Sequence, residues 1–163
     1  MKTIYLAPLA LLALGACHKT ADTPAASTAA ASSTAPVTKA GLSLSNAQLI
    51  LPAVSGHPGA AYFAVVNNSD KAVTLSAVSV ADAGKAEMHI TSATGMEPLE
   101  SIDVPAKGMT VFAPGGRHVM VSNIGAKLTA GAKGEITLTF ADGDKLSAPM
   151  TVSAAGGDAT PGM

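Results

Sequence analysis

Segments in which apolar and polar residues alternate recur along the middle of the chain. The alternation is strict over residues 135–140, and turn-forming residues at 141–144 separate this segment from a second one at 145–153. Since successive side chains of a strand point to opposite faces of a sheet, a period of two predicts half-buried β-strands, here joined as a hairpin. No part of this region shows a sustained helical period.

Further strands are predicted between clusters of turn-forming Gly, Pro, Asn and Asp residues. They cover residues 47–54, 61–66, 72–80, 86–91, 101–104, 109–113 and 118–121. Many short strands with frequent turns are typical of an all-β antiparallel sandwich or barrel. We therefore predict one domain over residues 41–153, a common size for a single hydrophobic core, with a loop at residues 94–98.

The two ends of the chain differ from this domain in composition. Residues 1–16 combine an early lysine, an apolar run and small residues before Cys17, which predicts a signal peptide too short to cross a bilayer. Residues 17–40 consist almost wholly of Ala, Ser, Thr and Pro and predict a flexible linker. Residues 154–163 contain several glycines and predict a disordered tail.

The single cysteine lies where the signal would be cut. The sequence Leu14-Gly15-Ala16-Cys17 resembles the lipobox of bacterial lipoproteins, which implies a lipid anchor at Cys17 and a membrane-attached location in the periplasm or cell envelope. The alternative is an ordinary cleaved signal with an incidental cysteine. One thiol excludes a disulfide within the chain and leaves no cysteine in the domain for a blue-copper site.

Charge and motifs exclude several classes of function. The formal net charge is −1 and aromatic residues make up 3% of the chain, so it lacks both a basic surface for phosphates and rings on which bases stack. We therefore expect no nucleic-acid partner. The sequence also lacks a nucleophile elbow, a His-Glu-x-x-His motif and a phosphate-binding loop, so we expect that the protein is not an enzyme.

Four residues carry side chains that suit a soft metal ion: His89, Met96, His118 and Met120. Soft sulfur ligands select Cu(I) over hard cations such as magnesium and calcium. His118 and Met120 are two positions apart, so on a strand they share one face at a separation of about 7 Å. The valines that alternate with them would then face the core.

Each candidate also has an ordinary structural interpretation. His89 can be a solvated residue on the outer face of a strand, Met120 can fill a core, and Met96 can cover the core from its loop. Met109 and Met150 lie within predicted strands, and we expect both in the core.

The spacing of these residues resembles that of the periplasmic copper chaperones of the PCu(A)C family. That family's pattern is a histidine, ten residues, a methionine, twenty-one residues and His-x-Met. Here Met96, residues 97–117 and His118-Val119-Met120 match the second part, and Pro114-Gly115-Gly116 stands just before the histidine. The resemblance covers about residues 60–152. The one departure is that six residues, not ten, separate His89 from Met96, which we interpret as a four-residue deletion in the loop.

The resemblance implies a cupredoxin-like β-sandwich that binds Cu(I) and delivers it to another protein, such as one that assembles the copper site of cytochrome c oxidase. His89 and His118 would supply imidazole nitrogens, and Met96 and Met120 would supply thioether sulfurs. The shortened loop could change the affinity or leave a three-ligand site. Affinity is expected to fall below about pH 6, because protons compete with copper for the histidines.

Two alternatives remain open at the level of the sequence. The first is a lipid-anchored β-sandwich of the envelope that acts as an interaction or structural module and binds no metal. The second, within the copper class, is storage or resistance in place of delivery.

Overall fold

The structure is a computed structural model, and it describes residues 37–156. The predicted signal peptide at residues 1–16, the anchor at Cys17, most of the predicted linker and residues 157–163 of the predicted tail lie outside the described residues. Among the residues that are described, no helix is long and apolar enough to cross a membrane.

Between residues 37 and 156 the chain forms eleven strands and no helix, so the all-β prediction is confirmed. The strands are β1 (Val37–Lys39), β2 (Leu42–Ile50), β3 (Gly59–Asn67), β4 (Val73–Val80), β5 (Ala83–Ser92), β6 (Gly95–Pro98), β7 (Ile102–Val104), β8 (Gly108–Phe112), β9 (Arg117–Ile124), β10 (Lys133–Phe140) and β11 (Lys145–Ser153).

Hydrogen bonds join the strands in the order β6-β5-β9-β3-β2-β11-β10-β4-β7, with β1 paired to β2 and β8 paired to β3. The pairs are antiparallel except for β2 with β11, which is parallel. Strand β3 changes partner along its length, since residues 59–61 pair with β9 and residues 63–67 pair with β8. The connection from β8 to β9, residues 113–116, therefore lies beside the middle of β3.

The core lies against the inward faces of these strands. Phe63 on β3 and Phe112 on β8 are paired in register, and their rings stack with centroids 4.3 Å apart. Val119 and Val121 on β9 are completely buried, as the alternation in the sequence predicts. Full burial of such a side chain stabilises the fold by about 1.5–3 kcal/mol. The two valines therefore determine which face of β9 is turned toward the core.

Hydrogen bonds of Asn67 stabilise the connection between β3 and β4. Its side chain is fully buried, and its amide nitrogen donates to the backbone carbonyls of Lys71 and Val104 at 2.7 and 3.2 Å. Its side-chain oxygen accepts hydrogen bonds from the backbone N–H and the hydroxyl of Ser69 at 2.9 and 2.7 Å. A buried polar group is tolerated only when it is hydrogen-bonded, and this one has partners for both ends of its amide.

Three elements differ from the sequence-based prediction. The strand predicted at residues 47–54 is β2, which begins and ends earlier, so that residues 51–54 lie in the loop after it. Strand β1 lies inside the range predicted as linker, and its pairing with β2 makes residues 37–39 part of the sheet. Strand β6 lies where a loop is predicted. That prediction is wrong because all four residues of β6 are exposed and show no alternation of apolar and polar side chains. Pairing with β5, and not burial, holds them as a strand.

The expectation for Met109 is also wrong, whereas that for Met150 is confirmed. Met150 is fully buried, but Met109 is 59% exposed. On the five-residue strand β8, Thr110 and Phe112 occupy the inward face. Apolar residues stand on both faces of this strand, so the sequence contains no signal of which set points inward.

Candidate metal centre

His89 and His118 lie on neighbouring strands and face each other directly. Strands β5 and β9 are antiparallel, and their register pairs His89 with His118. The two imidazole rings are nearly parallel, with an interplanar angle of 22° and centroids 5.9 Å apart. Residues paired across antiparallel strands have side chains on the same face of the sheet. Both imidazoles therefore stand on the face of β9 that is opposite to Val119 and Val121.

Met120 stands on the same face, one pair further along β9. It is half-buried, and the register places it opposite Glu87 on β5 and Ala60 on β3. Because side chains two positions apart on a strand point in the same direction, Met120 and His118 project side by side.

Met96 reaches the same face from the edge of the sheet. The tight turn between β5 and β6 pairs Met96 with Thr91, which shares a face with His89. The side chain of Met96 is 50% exposed, while its sulfur approaches His118 closely, with 3.3 Å between Sδ and Nε2. The shorter spacing between His89 and Met96 thus corresponds to a compact hairpin that brings the methionine over the histidine.

The other ring nitrogen of His118 is held by the backbone. Nδ1 lies 3.1 Å from the carbonyl oxygen of Gly116. A carbonyl can only accept a hydrogen bond, so this contact favours the neutral tautomer that has its proton on Nδ1 and a lone pair on Nε2. The sulfur of Met96 also presents lone pairs and has no proton. In this tautomer two electron-pair donors face each other across 3.3 Å, whereas in the other tautomer Nε2 donates a hydrogen bond to the sulfur.

A tight turn positions that carbonyl. Residues 113–116 form a turn in which the N–H of Gly116 donates to the carbonyl of Ala113 at 3.1 Å. Pro114 takes the second position and Gly115, with φ of +76°, takes the third, as a type II turn requires. The Gly116 carbonyl also accepts the N–H of Thr91 at 3.1 Å, which ties the turn to β5. The same carbonyl thus orients the His118 ring and joins the two strands.

The ring nitrogens of His89 have no hydrogen-bond partner among residues 37–156. Both Nδ1 and Nε2 are buried, and neither makes a hydrogen bond to any residue in the described part of the chain. Burial of an unpaired polar nitrogen costs about 1–3 kcal/mol. Such a cost is usual where a polar group serves a ligand, and His89 fits this interpretation because it lies directly beside the His118–Met96 pair.

The one carboxylate opposite Met120 is occupied by a neighbouring cation. Glu87 forms an exposed ion pair with Lys85, with 2.8 Å between Nζ and Oε1. The hydrogen bond from Lys85 lowers the pKa of Glu87 and outweighs the opposing effect of desolvation, and the charges of Lys85 and His89 lower it further. Within residues 37–156 no three His, Cys, Asp or Glu side chains cluster as a metal site. The remaining candidate donors on this face, beside the two imidazoles, are therefore the sulfurs of Met96 and Met120.

The structure thus brings His89, Met96 and His118 into contact or close proximity and puts Met120 on the same face. Sequence reasoning missed the role of Gly116 and of the turn before it. The Pro-Gly-Gly signal was visible in the sequence, but a backbone carbonyl leaves no trace in residue identity. Cys17, the predicted lipidation site, lies outside the described residues.

The sequence matches a family model described as "Putative lipoprotein LpqE-like" over residues 42–152. A curated relative, "Putative lipoprotein Lxx21020" from Leifsonia xyli subsp. xyli (strain CTCB07), is 34% identical over 89 residues. The match covers 52% of this chain and 52% of that protein, so the chain spans about half the length of the curated relative it matches.

Solved structures share the fold. A "Copper-bound PCuAC domain from PmoF2" superimposes with a TM-score of 0.64 at 24% identity, over 73% of this chain and 97% of that domain. The copper(I) form of DR1885 from Deinococcus radiodurans superimposes with a TM-score of 0.57 at 26% identity, over 80% of this chain and 86% of that one. These likenesses confirm the cupredoxin-like sandwich and the resemblance to PCu(A)C domains.

Proposed function

Because the chain belongs to the LpqE-like lipoprotein family, we propose that it binds Cu(I) in the cell envelope and passes it to another protein. The proposal joins three findings. The fold is that of PCu(A)C domains, one of which carries copper and another Cu(I). Soft donors lie on one face of β5, β6 and β9, and no three His, Cys, Asp or Glu side chains cluster as a metal site among the described residues.

The contact between Met96 and His118 carries the proposal. An unprotonated imidazole nitrogen and a thioether sulfur, 3.3 Å apart, form no favourable bond with each other. The separation is close to the value of about 3.5 Å expected for nitrogen and sulfur ligands of one tetrahedral ion with bonds of about 2.0 and 2.3 Å. A soft cation between them would accept both lone pairs.

Each residue has a defined part in this proposal. His118 binds through Nε2, because Nδ1 is bonded to Gly116. His89 supplies a second imidazole nitrogen from the paired strand, and Met120 supplies a second sulfur from the same face of β9. Two imidazoles and two thioethers are neutral and soft, so the set favours Cu(I) over divalent hard ions.

The unequal exposure of the ligands suits transfer. Met96 is 50% exposed on the edge strand, whereas His118 is 9% exposed. An incoming protein can therefore displace the thioether of Met96 first and reach the histidines afterwards. The activity proposed is ligand exchange with another protein and involves no chemical turnover by an enzyme.

The lipoprotein family supports a membrane-attached location. Cys17 would carry the lipid anchor, and the Ala/Ser/Thr/Pro-rich segment after it would separate the domain from the membrane. The recipient would be a copper-accepting protein, such as one that assembles the copper site of cytochrome c oxidase. Delivery is preferred to storage because the site holds a single set of ligands near the surface.

The test is an anaerobic competition titration of Cu(I) with the full-length chain, in which Cys17→Ser removes a thiolate that would itself bind copper. One tight equivalent is expected. His118→Ala and Met120→Ala should each weaken it at least about tenfold, since loss of supporting residues alone costs metal sites 10–100-fold.

His57→Ala is the matched control, because this histidine is exposed in the loop between β2 and β3. It should leave the affinity unchanged. Absence of binding, or equal affinity in the His118 and Met120 variants, would refute this site and favour an envelope module that binds no metal.

A further inference from the structure

The methionines of the domain fall into two groups by exposure. Met96 and Met109 are 50% and 59% exposed, whereas Met88 and Met150 are 5% and 0% exposed. Met120 is half-buried on β9. Only one of the two exposed thioethers, that of Met96, belongs to the candidate metal centre. The chain therefore contains a site methionine and a non-site methionine of nearly equal exposure.

Met96 lies where small solutes have access to its side chain. Strand β6 is the end strand in the sheet order and pairs only with β5 among the described strands. All four of its residues are exposed, and Gly95 beside Met96 has nothing within 4 Å of its Cβ position. A small oxidant can therefore approach this half-exposed side chain without any opening of the fold.

We propose that Met96 is a modification site at which peroxides switch off copper binding. This inference rests on the proposed function. In the step, a sulfur lone pair of Met96 attacks one oxygen of hydrogen peroxide, an S–O bond forms and the O–O bond breaks. The hydroxide that leaves takes up the remaining proton and becomes water. The sulfur loses two electrons to the peroxide, and the product is methionine sulfoxide.

Oxidation changes the donor that Met96 presents to the metal. The soft thioether becomes a polar sulfoxide whose accessible donor is a hard oxygen, and Cu(I) prefers soft ligands. The change occurs at the atom that faces His118 Nε2 at 3.3 Å, so it removes half of the closest donor pair. Reduction by a methionine sulfoxide reductase with a thiol reductant restores the thioether.

Metal occupancy determines whether the site can be oxidised. A sulfur whose lone pair is bound to a cation is a poorer nucleophile toward peroxide. The loaded protein is therefore protected at Met96, and the empty protein is the form that oxidation disables. Met109 has no metal ligand near it in the sheet and should react equally in both forms.

The first test measures oxidation at each methionine by peptide mass spectrometry, in the full-length Cys17→Ser chain exposed to hydrogen peroxide. Ag(I) replaces Cu(I), because it is soft and monovalent but does not react with peroxide under these conditions. Without silver, Met96 and Met109 should both oxidise at least about tenfold faster than Met88 and Met150, whose burial excludes the oxidant. With silver, Met96 should become protected and Met109 should not, while Met120, as the second sulfur ligand, should also react more slowly.

The second test measures Cu(I) affinity after mild oxidation, when the exposed methionines have reacted and the buried ones have not. The unsubstituted site should lose at least about tenfold in affinity, as for other lost ligand contacts, and reductase treatment should restore it. Met96→Leu should bind more weakly from the start, with no further loss on oxidation. Met109→Leu should bind normally and keep the full sensitivity to peroxide.

The outcomes separate this inference from the proposed function. If the untreated chain binds neither Cu(I) nor Ag(I), both are refuted. If it binds copper, but silver fails to protect Met96 or oxidised Met96 binds as before, only the modification site is refuted. Protection of Met96 but not of Met109, with reversible loss of affinity, supports both.

Discussion

At the scale of single residues, the most informative contrast is between two buried polar side chains. Asn67 has hydrogen-bond partners at both ends of its amide. His89 has none for either ring nitrogen within the described chain. A satisfied buried amide stabilises a turn, whereas unsatisfied buried nitrogens cost stability. The first arrangement serves the fold, and the second is what a ligand-binding residue requires.

Removal of the Asn67 side-chain amide should destabilise the domain strongly. Asn67→Ala leaves the buried carbonyl of Val104 without this partner and removes the acceptor of the half-buried Ser69 hydroxyl and N–H. We expect the free energy of unfolding in urea to fall by about 2–4 kcal/mol. Asn68→Ala, at the exposed neighbouring position, should change it by less than about 0.5 kcal/mol. Equal effects of the two substitutions would contradict the role of Asn67.

Replacement of His89 by phenylalanine should separate stability from binding. His89→Phe keeps a flat ring beside His118 and removes both unpaired nitrogens. The metal-free protein should be as stable as the original or more stable by up to about 1 kcal/mol, because no polar atom is then buried without a partner. Cu(I) affinity should fall at least about tenfold.

Two measurements test His89→Phe. Urea unfolding of the metal-free protein gives its stability, and the competition titration gives its Cu(I) affinity. His57→Phe, in the exposed loop, should alter neither quantity. A large loss of stability in His89→Phe would mean that the His89 nitrogens have partners that support the fold.

At the scale of elements, the site depends on a hairpin and a turn. The β5–β6 hairpin carries Met96 over the sheet, and the turn at residues 113–116 directs the Gly116 carbonyl to His118 Nδ1. The turn needs Gly115 because its φ of +76° lies in the left-handed region. Local backbone geometry therefore determines which nitrogen of His118 is available to metal.

A substitution in this turn should affect both the fold and the site. Gly115→Ala adds a Cβ that meets no atom within 4 Å, so its cost is backbone strain alone, about 1 kcal/mol. Relief of that strain would shift the Gly116 carbonyl and release His118, so we expect Cu(I) affinity to fall by about tenfold.

Gly143→Ala is the matched control. Gly143 lies in the β10–β11 turn with φ of +89°, and its added Cβ likewise meets nothing within 4 Å. It should cost the same free energy of unfolding and leave the affinity unchanged. If both variants bind copper equally well, the turn does not position His118.

At the scale of the whole molecule, the candidate ligands lie on three neighbouring strands, one of which is remote from the other two in sequence. Strands β5 and β6 are consecutive, but β9 comes between β5 and β3 in the sheet. A metal that bridges β6 and β9 therefore links the edge hairpin to the middle of the structure.

Copper should consequently stabilise the fold as well as occupy the site. At a free Cu(I) concentration 100-fold above the dissociation constant, the free energy of unfolding should rise by about 2.7 kcal/mol if only the folded state binds. Urea unfolding with buffered Cu(I), anaerobically and with Cys17→Ser, measures this change. His118→Ala should show no such rise, and a rise of equal size in that variant would place the metal elsewhere.

Much of the fold was predictable from the sequence. The alternation in residues 135–140 and 145–153 corresponds to β10 and β11, and the valines of β9 are buried as expected. These predictions succeeded because the period of a strand is a local property of the chain. The predictions failed for β6 and for Met109, where no alternation shows which face is buried.

The sequence by itself determined the chemical character of the candidate site: two imidazoles, two thioethers, no cysteine in the domain and a Pro-Gly turn before His118. Only the tertiary structure decided that His89 is paired with His118, that the Met96 sulfur meets Nε2 and that Gly116 holds Nδ1. The physical reason is that ligand type belongs to single residues, whereas distance depends on strand register and pairing between segments remote in sequence.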